Sequence, residues 1–296
     1  MSRFLRRSVL SLLLSCFATC LQAASADYIQ IDESLRIYFE EQGSGQQAIV
    51  FIPGWTMSSR IFKYQLAYFK DSSQYKAIAL DPRGQGRSTK PQTGYTYAQR
   101  GQDLATFINK KNLQDVVLVG WSFGTLDMLS YIAQFGITNV KAVVVLDGSP
   151  RTMSDNIENS WAWIDRLDTG LTRQSTTLAV LTNPEHFYRQ FATWMLEEPT
   201  SEKITEIVGI AMQTPPYVAA LTNETASYAN FEETLKSLDG KLPLYYFMRS
   251  EWASTVETWR QRNTPTAAFT HMGRHLMFWE RHEEFNRYLE AFLEQL

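Results

Sequence analysis

Two patterns in the chain predict an α/β fold with a mostly parallel, doubly wound sheet and an inserted helical cap. The first is a set of short, continuously apolar runs alternating with helix-periodic segments, as expected of strands buried on both faces. The second is a break in that alternation after Pro150, where helix-like sequence rich in Trp, Thr and Glu replaces it until the strand pattern resumes near Leu242.

The elements follow in order. Leu35, Ile37 and Phe39 alternate with Arg36, Tyr38 and Glu40, the pattern of a half-exposed strand. After the turn Gly43-Ser44-Gly45, Ala48–Ile52 is a buried strand ending at Pro53-Gly54. Ile61–Phe69 is amphipathic at helical spacing. Tyr75–Leu80 is a strand closed by Asp81-Pro82-Arg83-Gly84. Tyr97–Lys110 reads as helix, Val116–Val119 as strand, Thr125–Phe135 as helix and Val140–Leu146 as strand. Residues 151–239 form the cap, with no convincing strand, and Trp161, Trp163, Phe187, Phe191, Trp194 and Met195 recur at loosely helical spacing. Leu242–Met248 and Thr266–Thr270 complete the sheet, and Glu283–Leu296 closes it with Phe285, Tyr288, Leu289 and Phe292 on one face. The core thus comprises 27–150 and 240–296.

Residues 1–26 have the pattern of a secretory signal peptide: basic Met1–Arg7, apolar Val9–Phe17, and Ala24-Ser25-Ala26 before Asp27. The expected location is periplasmic or secreted. Arg6-Arg7 also fits twin-arginine export, and Leu13-Leu14-Ser15-Cys16 faintly fits lipoprotein anchoring. Cys16 and Cys20, the only cysteines, fall inside this leader, so the mature chain holds no thiol for a disulfide, a nucleophile or a metal site. Loss of Arg3, Arg6 and Arg7 takes the formal charge from −3 to −6. With no basic stripe the composition argues against nucleic acid as a partner, and no apolar run of spanning length follows residue 26. We expect no cofactor and no metal. The oligomeric state is left open.

Gly120-Trp121-Ser122-Phe123-Gly124 joins an apolar strand to a helix. A serine on such a turn stands at the edge where parallel sheets bind ligands, and the glycines admit close neighbouring backbone. A serine hydroxyl needs a base to take its proton, and a carboxylate to hold that base. The mature chain offers His186, His271, His275 and His282.

Four ordered motifs, over about residues 28–150 and 240–296, resemble the α/β-hydrolase superfamily. They are Phe51–Trp55 in place of its His-Gly turn, Asp81–Ser88 matching its Asp-x-Arg-Gly-x-Gly-x-Ser loop, the elbow at Ser122, and Gly273-Arg274-His275 followed by Glu280 and Glu284-Phe285. The resemblance implies Ser122 as nucleophile, His275 as base, and the backbone N–H groups of Trp55 and Phe123 as oxyanion hole. It implies structural roles for Asp81 and Arg83. It places the acid after the strand preceding the histidine strand, where Glu251 is the expected residue; Asp147, after the earlier strand, is the alternative. The implied activity is that of a serine esterase acting on a small ester, thioester or lactone. Carbon–carbon bond hydrolysis, aminopeptidase action, cofactor-free peroxidation and a non-catalytic periplasmic binding role stay open as alternatives.

Overall fold

The computed structural model describes residues 25–154, 160–165 and 169–296. The proposed leader up to residue 24 lies outside them. The core strands are β1 (Ser25–Gln30), β2 (Arg36–Gln42), β3 (Gln47–Ile52), β4 (Tyr75–Leu80), β5 (Val116–Trp121) and β6 (Val140–Leu146). The helices among them are α1 (Lys63–Phe69), α2 (Tyr97–Lys110) and α3 (Gly124–Phe135). After β6 come short strands β7 (Arg151–Ser154) and β8 (Ala162–Asp165), then α4 (Thr169–Thr182), α5 (Pro184–Met195), α6 (Ser201–Ala211), α7 (Pro216–Ala226) and α8 (Glu232–Lys236). The chain returns to the sheet with β9 (Leu244–Met248), α9 (Ala253–Asn263), β10 (Ala268–His271), α10 (Met277–Glu280) and α11 (His282–Leu293).

The main sheet has eight strands in the order β1-β2-β4-β3-β5-β6-β9-β10. β1, β2 and β4 pair antiparallel, and every pairing from β4 to β10 is parallel. The apolar runs are continuous because both faces are covered. Phe51, Ala79, Val119 and Val144 point into one buried cluster with α1, α11 and cap helices, while Val50, Ile78, Leu118 and Val143 point into the other with α2, α3 and α9. A polar group at either register needs a partner, and the Tyr246 hydroxyl of β9 finds one in Thr264 Oγ1 at 3.0 Å.

Three details depart from the sequence reading. β2 is more buried than alternation suggests: Tyr38 is covered by an edge-on contact with Tyr28 of β1, a strand the reading did not include. β1 begins at Ser25, so the expected cleavage site lies at the start of a paired strand. The cap region also holds two strands where none was expected. β7 and β8 pair parallel to each other outside the main sheet, and at four residues each they are too short to show a period.

Capping and buried charge fix the loops. Thr96, Asn183 and Thr200 accept from backbone N–H groups at the starts of α2, α5 and α6. Asp81 accepts from the N–H groups of Ser59 and Arg87, both at 2.6 Å, tying two loops together. Arg83 makes a bidentate pair with Asp103 at 2.7 Å, both side chains being buried. Replacing Asp103 with Asn would leave the guanidinium buried opposite a neutral group. We expect a loss of about 3–5 kcal/mol, read as a lower urea midpoint at unchanged m value.

Candidate functional site

The carboxyl ends of β3, β5, β6 and β9 converge on one region. Three of the five non-glycine residues with positive φ among the described residues sit there: Thr56 at 64°, Ser122 at 54° and Asp147 at 39°. Such conformations persist only where surrounding contacts hold them. For Ser122 the holding is visible. Its N–H donates to Leu146 O at 3.0 Å, and glycines crowd it on several sides. A Cβ on Gly54 would lie 2.8 Å from Ser122 Cβ, and one on Gly124 would lie 2.2 Å from Ile52 O. Thr125, bulkier than the glycine common at that position in the resembling family, fits because Gly148 faces it. A Cβ there would lie 2.0 Å from Thr125 Oγ1.

Ser122 and His275 line the same cavity of about 300 Å³, together with Trp55, Phe123, Trp163, Thr176, Phe187, Phe191, Trp194 and Asn223. The other histidines are elsewhere. His186 and His271 are exposed, and His282 stacks on Tyr64 with ring centroids 4.0 Å apart. One wall is a ladder along α5. Phe187, Phe191 and Trp194 recur at i, i+4 and i+7, and successive rings stack at 5.9 and 5.6 Å. Trp55 meets Phe187 and Phe191 edge-on, both at 5.8 Å. The backbone N–H groups of Trp55 and Phe123 donate no hydrogen bond among the described residues.

The carboxylate that meets His275 is Asp147. Its Oδ2 lies 2.5 Å from His275 Nδ1, and both side chains are buried. Glu251, the expected acid, does not reach the imidazole. The chain leaves β9 through Arg249 into a 3₁₀ turn at Ser250–Trp252, which swings Glu251 outward. Its carboxylate is 54% exposed and pairs with Arg274 at 3.0 Å. Asp147 sits at the end of β6, between the Ser122 strand and β9, so it is one strand from the serine without any reach of chain.

Sequence reasoning missed Arg249, although its place directly after β9 at the ligand edge of the sheet was a usable signal. Its N–H donates to Asp147 Oδ1 at 3.0 Å and its Nη1 to Oδ2 at 2.9 Å. The guanidinium lies over the rings of Trp252, Trp163 and Trp194 at 4.1, 4.9 and 5.4 Å. His275 is boxed in turn by Trp121, Trp194 and Trp163 at 5.1, 5.1 and 5.5 Å. Trp121 also donates from Nε1 to His275 O at 3.1 Å.

Burial pushes the Asp147 carboxyl up, but the hydrogen bond and charge of His275, with Arg249 behind them, outweigh it and hold the group below its ordinary value. His275 is held below its own ordinary value, chiefly by burial; Asp147 opposes that shift and Arg249 adds to it. The imidazole is therefore neutral at pH 7. With Nδ1–H donating to the carboxylate, Nε2 carries the free lone pair and can accept a proton. The arrangement offers a hydroxyl, a neutral base with an anchored back nitrogen, and unspent N–H donors around one cavity. Among the described residues, no cluster of His, Cys, Asp and Glu could hold a metal ion, and no helix is long and apolar enough to cross a membrane.

Known proteins resemble this chain in sequence and fold. A non-heme chloroperoxidase of Kitasatospora aureofaciens is 30% identical over 127 residues, which are 43% of this chain and 46% of that protein. The chain spans about half the length of the curated relatives it matches. Two solved structures share the fold: the bromoperoxidase from Bacillus anthracis, with a TM-score of 0.81, 23% identity and coverage of 91% of this chain and 100% of that one, and an esterase from Exiguobacterium antarcticum, with a TM-score of 0.81, 20% identity and the same coverage. A family model described as the alpha/beta hydrolase fold matches residues 47–231, well over half the chain, and the protein belongs to that family.

Proposed function

We propose that the protein is a serine hydrolase that cleaves a small, uncharged ester through an acyl-enzyme on Ser122. The observation that carries this reading is a serine on a left-handed turn sharing a cavity with a histidine whose Nδ1 meets a buried aspartate at 2.5 Å.

The reaction follows from the parts. His275 Nε2 takes the Ser122 proton as Oγ bonds to the carbonyl carbon. The oxygen that becomes negative is met by the N–H groups of Trp55 and Phe123. As the carbon–oxygen bond to the leaving alcohol breaks, His275 returns the proton to it. Water then attacks the acyl-enzyme with His275 again as base, releasing the acid and Ser122. The aromatic walls and the small volume favour a compact apolar or aromatic acyl group over a charged one. The similarity to a bifunctional esterase/perhydrolase of Acinetobacter calcoaceticus, 24% identical over 147 residues, favours a second acceptor, hydrogen peroxide, which would take the acyl group as a peracid. The leader pattern supports export of the mature enzyme.

Ser122→Ala should lower kcat/KM for p-nitrophenyl acetate by at least about 10⁴-fold while the circular dichroism spectrum and Tm hold. Retained turnover, of ester or to peracid, would remove the serine from the mechanism. Asp147→Asn should lower kcat by about 10⁴-fold through the wrong imidazole tautomer, whereas Glu251→Gln should stay within about 2-fold because its ion pair is on the surface. The reverse ranking would restore Glu251 as the acid.

The pH profile has a set sign. Activity needs neutral His275, whose pKa lies below its ordinary value, so the acid limb of kcat/KM should fall below pH 6.5. Arg249→Met removes a charge that disfavours the imidazolium and stabilises the Asp147 carboxylate. The limb should then move to higher pH, as read by stopped-time ester assays between pH 4 and 9.

A further inference from the structure

A buried chain of three side chains runs from the helix behind Ser122 to the turn that carries Trp55. It begins at Asp127, in the first turn of α3, whose carboxylate accepts from Arg100 Nε at 2.6 Å and from Nη2 at 2.7 Å. Arg100 Nη2 also donates to Gln85 Oε1 at 2.9 Å. Gln85 Nε2 then donates to Gly54 O at 2.9 Å and to Met57 O at 2.6 Å. All three side chains are no more than 3% exposed. None touches the cavity of Ser122 and His275.

The end point of this chain is the informative part. The Gly54 carbonyl and the Trp55 N–H are two ends of one peptide group. That group is planar and trans, so its C=O and N–H point in opposite directions. Whatever fixes the carbonyl toward Gln85 fixes the N–H away from it. The Gly54 carbonyl takes one further bond, from Met57 N–H at 3.2 Å, which stays within the turn and does not anchor it to the rest of the fold. Gln85 supplies that anchor, and its own backbone is fixed by bonds from its N–H to Pro82 O and from Ser88 N–H to its carbonyl.

The other end matters for the same reason. Phe123 is the N-cap of α3, and its carbonyl accepts from the N–H groups of Leu126 and Asp127. Asp127 is therefore part of the turn that holds Phe123. The chain Asp127–Arg100–Gln85 ties the backbone of one N–H donor to the backbone of the other. Burial strengthens each bond in it, and the guanidinium polarises the amide that donates to Gly54.

We infer that Gln85, braced by Arg100 and Asp127, is a positioning residue that sets the Trp55 N–H for the oxyanion. The inference rests on the serine-hydrolase reading above. Gln85 acts through the Gly54–Trp55 peptide and touches no reacting atom. Both acylation and deacylation pass through a tetrahedral oxyanion, so a misaimed N–H slows either one, and kcat falls whichever is limiting.

The test uses Gln85→Glu and Gln85→Met in the full chain. The first keeps the length and the acceptor for Arg100 but puts a carboxylate oxygen where the amide donor was. The second removes both functions and is apolar, so it serves if the first misfolds. Kinetics on p-nitrophenyl acetate are paired with two inhibitors: a trifluoromethyl ketone, whose adduct with Ser122 carries an oxyanion, and a neutral methyl ketone of the same skeleton, which binds without one. We expect kcat to fall about 10- to 100-fold with KM within about 3-fold, somewhat less than outright loss of an oxyanion donor. Trifluoromethyl ketone affinity should weaken in the same proportion, and methyl ketone affinity should hold. Wild-type kcat in both folded variants, or equal weakening of both ketones, would overturn the inference. Failure of the parent reading looks different, because turnover would then survive Ser122→Ala in the wild-type background.

Discussion

Asp147 is a carboxylate with no exposure to solvent, and much of the site's architecture answers the cost of putting it there. A buried charge must be paired and fully hydrogen-bonded or it will neutralise or unfold its surroundings. Here one oxygen receives the Arg249 N–H, while the other meets both His275 Nδ1 and the Arg249 guanidinium. Those partners are themselves charged or polar and need cover. Four tryptophans supply it: Trp163, Trp194 and Trp252 over the guanidinium, with Trp121, Trp163 and Trp194 around the imidazole. One anion thus explains a cation, a base and an aromatic shell drawn from the elbow, β8, α5 and the turn after β9.

The same shell shapes the cavity. Trp163 and Trp194 both cover Arg249 and line the space next to Ser122. The cap therefore does more than roof the sheet. It contributes side chains that lower the polarity around His275 and, with Phe187 and Phe191, form the apolar wall. The electrostatics of the Asp147–His275 pair and the shape of the cavity are set by overlapping residues, so neither can be altered alone.

The sheet was legible because parallel strands buried on both faces leave short continuous apolar runs, here bounded by turn residues and alternating with helix-periodic segments. Ser122 was legible because the glycines around it are demanded by backbone contacts shorter than a Cβ permits. His275 stood out among four histidines because Gly273-Arg274-His275 resembles the family's C-terminal histidine segment. The acid was not legible, since both Asp147 and Glu251 follow a strand at the ligand edge. The choice turns on the lateral order of β6 and β9 and on a 3₁₀ turn after Arg249, and neither leaves a periodic trace. Arg249 was hidden for a related reason: its carboxylate partner, Asp147, lies 102 residues away in sequence. The strands β7 and β8, at four residues each, lack the length for a period to emerge.

Trp55 is joined to the cap by its side chain as well as facing the cavity: Nε1 donates to Ala219 O in α7 at 2.9 Å, and Thr214 Oγ1 just before that helix donates to Thr56 O at 2.9 Å. The cap is therefore not an interchangeable module. Transplanting it from another member of the fold would cut both bonds at the turn beside Ser122. Exchange of specificity by cap grafting would succeed only where the donor helix returns a carbonyl at the Ala219 position and a hydroxyl at the Thr214 position. Diversification of this chain is accordingly easier at Phe187 and Phe191 of α5, which meet that turn through ring contacts with Trp55 rather than through hydrogen bonds.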